Sequence, residues 1–125
     1  MKIRIAQQSI RIRIKPAELE ALHATGSLHQ SLAMGPKPEQ VLTFRVLRDG
    51  ATALVTATYA ANEVLLNVSP ALITEMLETE RVGVTIKHEI QPGRLLSICF
   101  EKDFKCLTHR DEDSDGYPHP ATDKA

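Results

Sequence analysis

The chain has no tryptophan, and aromatic residues make up only 4% of its 125 positions. A core of this composition has to be assembled from Ile, Leu, Val and Ala. Cysteine is nearly as scarce: Cys99 and Cys106 are too few for a disulfide scaffold. None is needed, because a chain of this length buries roughly two thirds of its unfolded surface. No stretch approaches the ~20 apolar residues of a membrane-spanning helix. No apolar run of roughly 7–15 residues follows Lys2. We therefore expect no signal peptide, no membrane partner and a cytoplasmic location. A large charge excess is missing too. The formal net charge of -1 argues against a generally basic nucleic-acid binder. There is no G-x-S-x-G, phosphate-binding loop, dinucleotide fingerprint or H-E-x-x-H. No catalytic residue and no cofactor are expected, and an enzyme would need a site dispersed along the chain.

What is present begins with a repeated pattern. Ile10 to Leu22 (IRIRIKPAELEAL) recurs 54 residues later as Val64 to Met76 (VLLNVSPALITEM). Ile10, Ile12 and Ile14 align with Val64, Leu66 and Val68. Both segments then turn into a helix at Pro-Ala. Leu19 and Leu22 match Ile73 and Met76 on one helical face. The pattern predicts two related strand-into-helix units and admits an internal duplication.

The rest of the chain alternates or breaks in ways that can be read. Lys2–Ala6 and Ser9–Ile14 have the period of half-buried strands, with Gln7-Gln8 as the turn between them. Pro16 opens the first helix, where no N–H is needed, and Gly26 stops it. A short strand is expected over 28–34 and a loop at Gly35–Pro38. Val41–Leu47 and Thr52–Tyr59 read as strands joined in a hairpin by Asp49-Gly50. Ser69 caps and Pro70 opens the second helix. Val82–Ile90 and Leu95–Glu101 form a last hairpin around Pro92-Gly93, which suits a type II turn. The expectation is an α+β fold with a mainly antiparallel curved sheet or barrel of about seven to eight strands and two short helices. Residues 1–107 form one domain in this reading, and 108–125 an acidic, proline-containing tail.

Charge is unevenly placed. Residues 1–15 carry Lys2, Arg4, Arg11, Arg13 and Lys15 and no acid, whereas residues 101–125 carry seven acids against four bases. A two-residue turn at Gln7-Gln8 sets Ile5 opposite Ile10 and Ile3 opposite Ile12. It also sets Arg4 opposite Arg11 and Lys2 opposite Arg13. Like charges directly opposed destabilise a sheet. An anion or the acidic tail is expected to contact this face. The period of two predicts Ile3, Ile5, Ile10, Ile12 and Ile14 buried, with the arginines outside.

Asp111, Asp113 and Asp115, followed by Gly116, match the first half of a calcium loop. Thr122 stands where the bidentate Glu would be, and Pro118 and Pro120 preclude the exiting helix. An EF-hand is excluded, and a weak cation site is the remaining metal reading. Cys106, His109 and His119 lack the paired spacing and fourth ligand of structural zinc. No metal ligand is assigned to them. His23, His29 and His88 have no acid or nucleophile at a meaningful spacing.

Two resemblances can be stated. The opening M-K-I-R-I with S-I-R-I-R-I, then E-K-D-F-K-C-L (Glu101–Leu107) and E-D-S-D-G-Y-P-H-P (Glu112–Pro120), is similar over nearly the full length to a family of small uncharacterised bacterial proteins. That resemblance implies no activity, and Gln7-Gln8 departs from the Gly-Asn-like turn expected there. Val64–Phe100 resembles, in element order, the swapped-hairpin DNA-binding domains of the transition-state-regulator type. Its basic residues lie in the other unit, so no DNA-contact residue is carried over. The sequence thus points to a small non-enzymatic binding or assembly protein that admits a homodimer. A ribbon-type DNA-binding regulator, a metal-binding module and a dispersed-site enzyme are the alternatives.

Overall fold

The computed structural model describes residues 1–105 and Tyr117. In chain order it contains β1 (Lys2–Ala6), β2 (Ser9–Ile14), α1 (Pro16–Thr25), β3 (Ser27–Ala33) and β4 (Val41–Arg48). There follow β5 (Val55–Ala60), β6 (Glu63–Val68), α2 (Pro70–Glu78), β7 (Gly83–Gln91) and β8 (Arg94–Lys102). The strands make two four-stranded sheets, ordered β1-β2-β8-β7 and β3-β4-β6-β5. Each sheet takes one pair of neighbouring strands from each half of the chain. Within a pair the strands are antiparallel. Where the pairs meet, β2 runs parallel to β8 and β4 runs parallel to β6.

The α+β class is as expected, but a mainly antiparallel curved sheet or barrel is not. The described residues form two mixed sheets and no closed barrel. Turn residues report the antiparallel neighbours they connect. The parallel contacts join strands from opposite halves of the chain, with no turn between them to leave a local signature.

Two ladders are related by a constant shift. Ser9 lies opposite Ser97 in the first sheet, and Glu63 opposite Thr43 in the second, so 9 moves to 63 and 43 to 97, a shift of 54. The antiparallel pairs obey it too: Lys2 opposite Arg13 corresponds to Thr56 opposite Asn67. As predicted, both repeated segments are strands that run into helices at Pro16 and Pro70.

The hairpin at Asp49-Gly50 is the clearest departure from expectation. The local turn exists: Thr52 N–H donates to the Asp49 carbonyl at 3.1 Å, and Ala51 N–H donates to Asp49 Oδ1 at 2.9 Å. Yet β4 and β5 do not pair, because β6 lies between them. The tight hairpin is instead β5–β6, turning at Ala61-Asn62 with φ of 51° and 61°. Gln7, which corresponds to Ala61 under the shift of 54, also has φ 51°. Positive φ is what two-residue hairpins require, and both turns adopt it without glycine.

Helix ends follow their caps. Gly26 closes α1 at φ 87°, and its N–H donates to the Leu22 carbonyl. Ser69 Oγ accepts from Leu72 N–H at 3.1 Å. Glu18 accepts from the Lys15 backbone N–H at 2.9 Å and from the Met1 ammonium, which ties the first strand to the start of α1.

The core is one cluster lying between the sheets and the helices. Ile12, Val46, Leu66, Ile98 and Phe100 come from the sheets, and Leu22, Ile73 and Met76 from the helices. Ile10, Ile12 and Ile14 are buried as predicted, and Ile3 is half-buried. Ile5 has inward parity but is 66% exposed. It lies on an edge strand and lines the mouth of a cleft of about 560 Å3, whose walls include Ile10, Tyr59, Val64 and Ile90. No helix among the described residues is long and apolar enough to cross a membrane.

Candidate functional site

Three rows of side chains cross the outer face of the first sheet. Lys2, Arg13, Glu101 and Gly83 form one row, and Arg4, Arg11, Cys99 and Thr85 the next. Ala6, Ser9, Ser97 and Lys87 form the third. The rows follow from the inward set: once Ile10, Ile12 and Ile14 enter the core, strand alternation sends Arg11 and Arg13 outward. The predicted register, Arg4 opposite Arg11 and Lys2 opposite Arg13, is the one observed.

Repulsion on this face is relieved from the other half of the chain. Oε1 of Glu101 lies 2.9 Å from Nε of Arg13 and 3.3 Å from Nε of Arg11. Lys2 Nζ lies 3.0 Å from Oδ2 of Asp103. Glu101 is placed by the parallel β2–β8 register, which sets it beside Arg13. Sequence reasoning found the four cations and expected an anion or the acidic tail to contact them. Among the described residues, acids that pair with them include Glu101 and Asp103. Asp111, Asp113 and Asp115, and the zinc-type set Cys106, His109 and His119, lie outside the described residues. Among the described residues, no group of three His, Cys, Asp or Glu side chains could hold a metal ion.

On β1 and β2 the third row has the small side chains of Ala6 and Ser9 where the second has Arg4 and Arg11, and Ser97 continues the small set onto β8. A depression of about 390 Å3 results, lined by Arg4, Arg11, Ser9, Ser97, Thr85 and Cys99. Cys99 is 6% exposed. Burial pushes its thiol pKa up, and a hydrogen bond with Glu101 acts in the same direction, while one with Thr85 opposes it. The thiol therefore stays protonated at neutral pH and adds no negative charge to the floor. Ser9, Ser97 and Thr85 gave no signal in the sequence. They come together only through the β2–β8 and β7–β8 pairings.

The second sheet provides an internal comparison. Under the shift of 54, Lys2, Arg4, Arg11 and Arg13 correspond to Thr56, Thr58, Leu65 and Asn67. An ion pair on that face joins Arg45 Nε to Glu63 Oε1 at 3.1 Å. The β1–β2 pair differs from a free two-stranded ribbon, since β2 is hydrogen-bonded along both edges. His88, placed on β7, lines the apolar cleft and not the basic face.

No curated protein and no solved structure matches the chain. A family model does match residues 1–121, and on that match the chain belongs to DUF7009, a family of unknown function.

Proposed function

We propose that this chain is a small, non-enzymatic cytoplasmic binding protein that holds an anionic ligand against the outer face of its first sheet. The observation that carries this reading is the contrast between the two sheets. Positions related by the shift of 54 bear Lys2, Arg4, Arg11 and Arg13 on one sheet and Thr56, Thr58, Leu65 and Asn67 on the other. The architecture accommodates neutral side chains at these places, so four cations are not a requirement of folding. Glu101 and Asp103 offset part of the repulsion among them, and a bound anion adds to that.

The same shift supports an origin by internal duplication, after which one sheet alone became basic. In this reading residues 1–107 are the domain and residues 108–125 an extension. The run Asp111, Asp113 and Asp115 competes for the basic face, within the chain or across a homodimer. Retention on a heparin column tests the reading. The wild-type protein is retained, salt elutes it, and Lys2→Gln with Arg4→Gln elutes earlier. Deleting residues 108–125 raises retention. Retention unchanged by the double substitution overturns the reading.

A further inference from the structure

The depression on the basic face is more selective in shape than a charged surface needs to be. Its polar side chains come from all four strands of the sheet: Arg4 on β1, Arg11 and Ser9 on β2, Ser97 on β8 and Thr85 on β7. Ser9 Oγ donates to the Ala6 carbonyl at 2.8 Å, and Thr85 bonds with Cys99. Two guanidinium groups stand in one row, and two hydroxyls stand in the next. The floor beneath them is the protonated thiol of Cys99. None of the described residues that line the depression is an acid. Glu101, one row away, draws the Nε atoms of Arg11 and Arg13 to one oxygen and so fixes how those side chains lie.

We propose that this depression is a binding site for the phosphoryl group of a small molecule, held by Arg4 and Arg11 and by the hydroxyls of Ser9, Ser97 and Thr85. The proposal rests on the reading of this face as anion-binding and names its ligand class. A guanidinium presents a planar fork of donors that matches a phosphoryl group two bonds at a time. The Ser97 hydroxyl adds a donor, and those of Ser9 and Thr85 rotate from Ala6 and Cys99 to meet the remaining oxygens. A flat carboxylate has only two oxygens, whereas donors arrayed across four strands suit an oxyanion that presents oxygens in several directions. The volume, about 390 Å3, is at the lower end of the range for small-molecule sites. The cavity is therefore sized for a small phosphorylated compound.

The small residues of the third row are what make the depression. Their side chains are Ala6, Ser9 and Ser97, and a longer group at any of them would fill it. On the second sheet the corresponding positions of Ala6, Ser9 and Ser97 are Ala60, Glu63 and Thr43. A carboxylate stands there in place of the Ser9 hydroxyl. The same fold thus carries a site suited to an anion on one sheet and an acid at the equivalent point on the other.

Isothermal titration of the full chain with inorganic phosphate, phenyl phosphate and acetate tests the proposal. Binding of one phosphate per chain is expected. Acetate should bind at least about tenfold more weakly, because it cannot engage the full donor set. Phenyl phosphate tighter than phosphate identifies an ester as the ligand, and phosphate tighter than the ester identifies the free ion. Two variants locate the site, each checked for an unchanged circular dichroism melt. Ser9→Ala with Ser97→Ala should weaken phosphate binding about tenfold and leave heparin retention unchanged. Arg4→Gln should weaken both. Absence of phosphate binding, or phosphate binding indifferent to the serine pair, overturns the proposal. If heparin retention still depends on Lys2 and Arg4 in that case, the anion-binding face stands and only the phosphoryl site falls. Loss of that dependence defeats both.

Discussion

Nε of Arg13 lies 2.9 Å from Oε1 of Glu101, a residue 88 positions later in the chain. Both side chains are mostly buried, and the contact exists because β2 and β8 run parallel with Arg13 beside Glu101. The bond therefore reports on whether the two halves of the chain have come together. Arg11 shares the same oxygen at 3.3 Å. Replacing Glu101 with Gln keeps the shape and removes the charge that separates the two guanidinium groups. We expect Glu101→Gln to lower stability by about 1–3 kcal/mol, the range for a charged hydrogen bond in a partly buried setting. Urea denaturation measures this. A loss below ~0.5 kcal/mol would show that the pair behaves as an ordinary surface contact.

Ile12 and Ile5 have the same parity on neighbouring strands but different surroundings. Ile12 is 1% exposed, whereas Ile5 is 66% exposed at the mouth of the cleft. Ile12→Ala should cost about 2–5 kcal/mol, since it opens a cavity between the sheets. Ile5→Ala should stay within about 0.5 kcal/mol. Comparable losses from the two variants in the same urea melt would mean that the cleft is closed over Ile5 in solution.

Gly83 opens β7 directly beside Glu101. A Cβ built there would stand 2.1 Å from the Phe100 carbonyl oxygen and 2.6 Å from the Glu101 Cα. Both are backbone atoms of a central strand, so neither can rotate away. Gly83→Ala should destabilise the protein by about 1–3 kcal/mol or more through overpacking. Gly50, with nothing within 4 Å of its would-be Cβ, is the control: Gly50→Ala should be close to neutral. A thermal melt of the two variants side by side checks the contrast, and equal melting temperatures would refute it.

These contrasts also mark how far the sequence was legible. Alternation placed the strands, Pro16, Gly26, Ser69 and Pro70 bounded the helices, and the Gln7-Gln8 turn set Arg4 opposite Arg11 correctly. Each of those signals acts over a few residues. Asp49-Gly50 shows the limit: its turn forms, but the strand that follows passes to the far side of β6, a choice made by sheet packing and not by the turn. The candidate site was half visible for the same reason. Lys2, Arg4, Arg11 and Arg13 lie on one hairpin, where register can be counted. Glu101, Cys99, Ser97 and Thr85 reach them through a parallel ladder that no turn announces. The 54-residue recurrence of Ile10–Leu22 in Val64–Met76 was the one long-range signal in the sequence.

Cys99 gives a prediction with a defined sign. Its thiol pKa is raised, first by burial and then by the neighbouring Glu101. A group whose folded pKa lies above its unfolded value contributes stability that is fully present below the unfolded pKa. That contribution is lost as pH rises, because the unfolded chain gives up the proton first. Stability should therefore hold through neutral pH and fall above the ordinary thiol range, roughly pH 8.5 upward. The wild-type protein should show this fall more steeply than Cys99→Ser. The same burial makes the thiolate scarce, and the thiolate is the reactive form. In a Cys106→Ser background, where Cys99 is the remaining cysteine of the chain, alkylation by iodoacetamide at neutral pH should be slower than that of the urea-unfolded protein. Protection should weaken as pH climbs through the raised pKa. Rapid labelling of the folded protein at pH 7 would mean that the floor of the depression is open and ionised, and an anion would then be repelled from it.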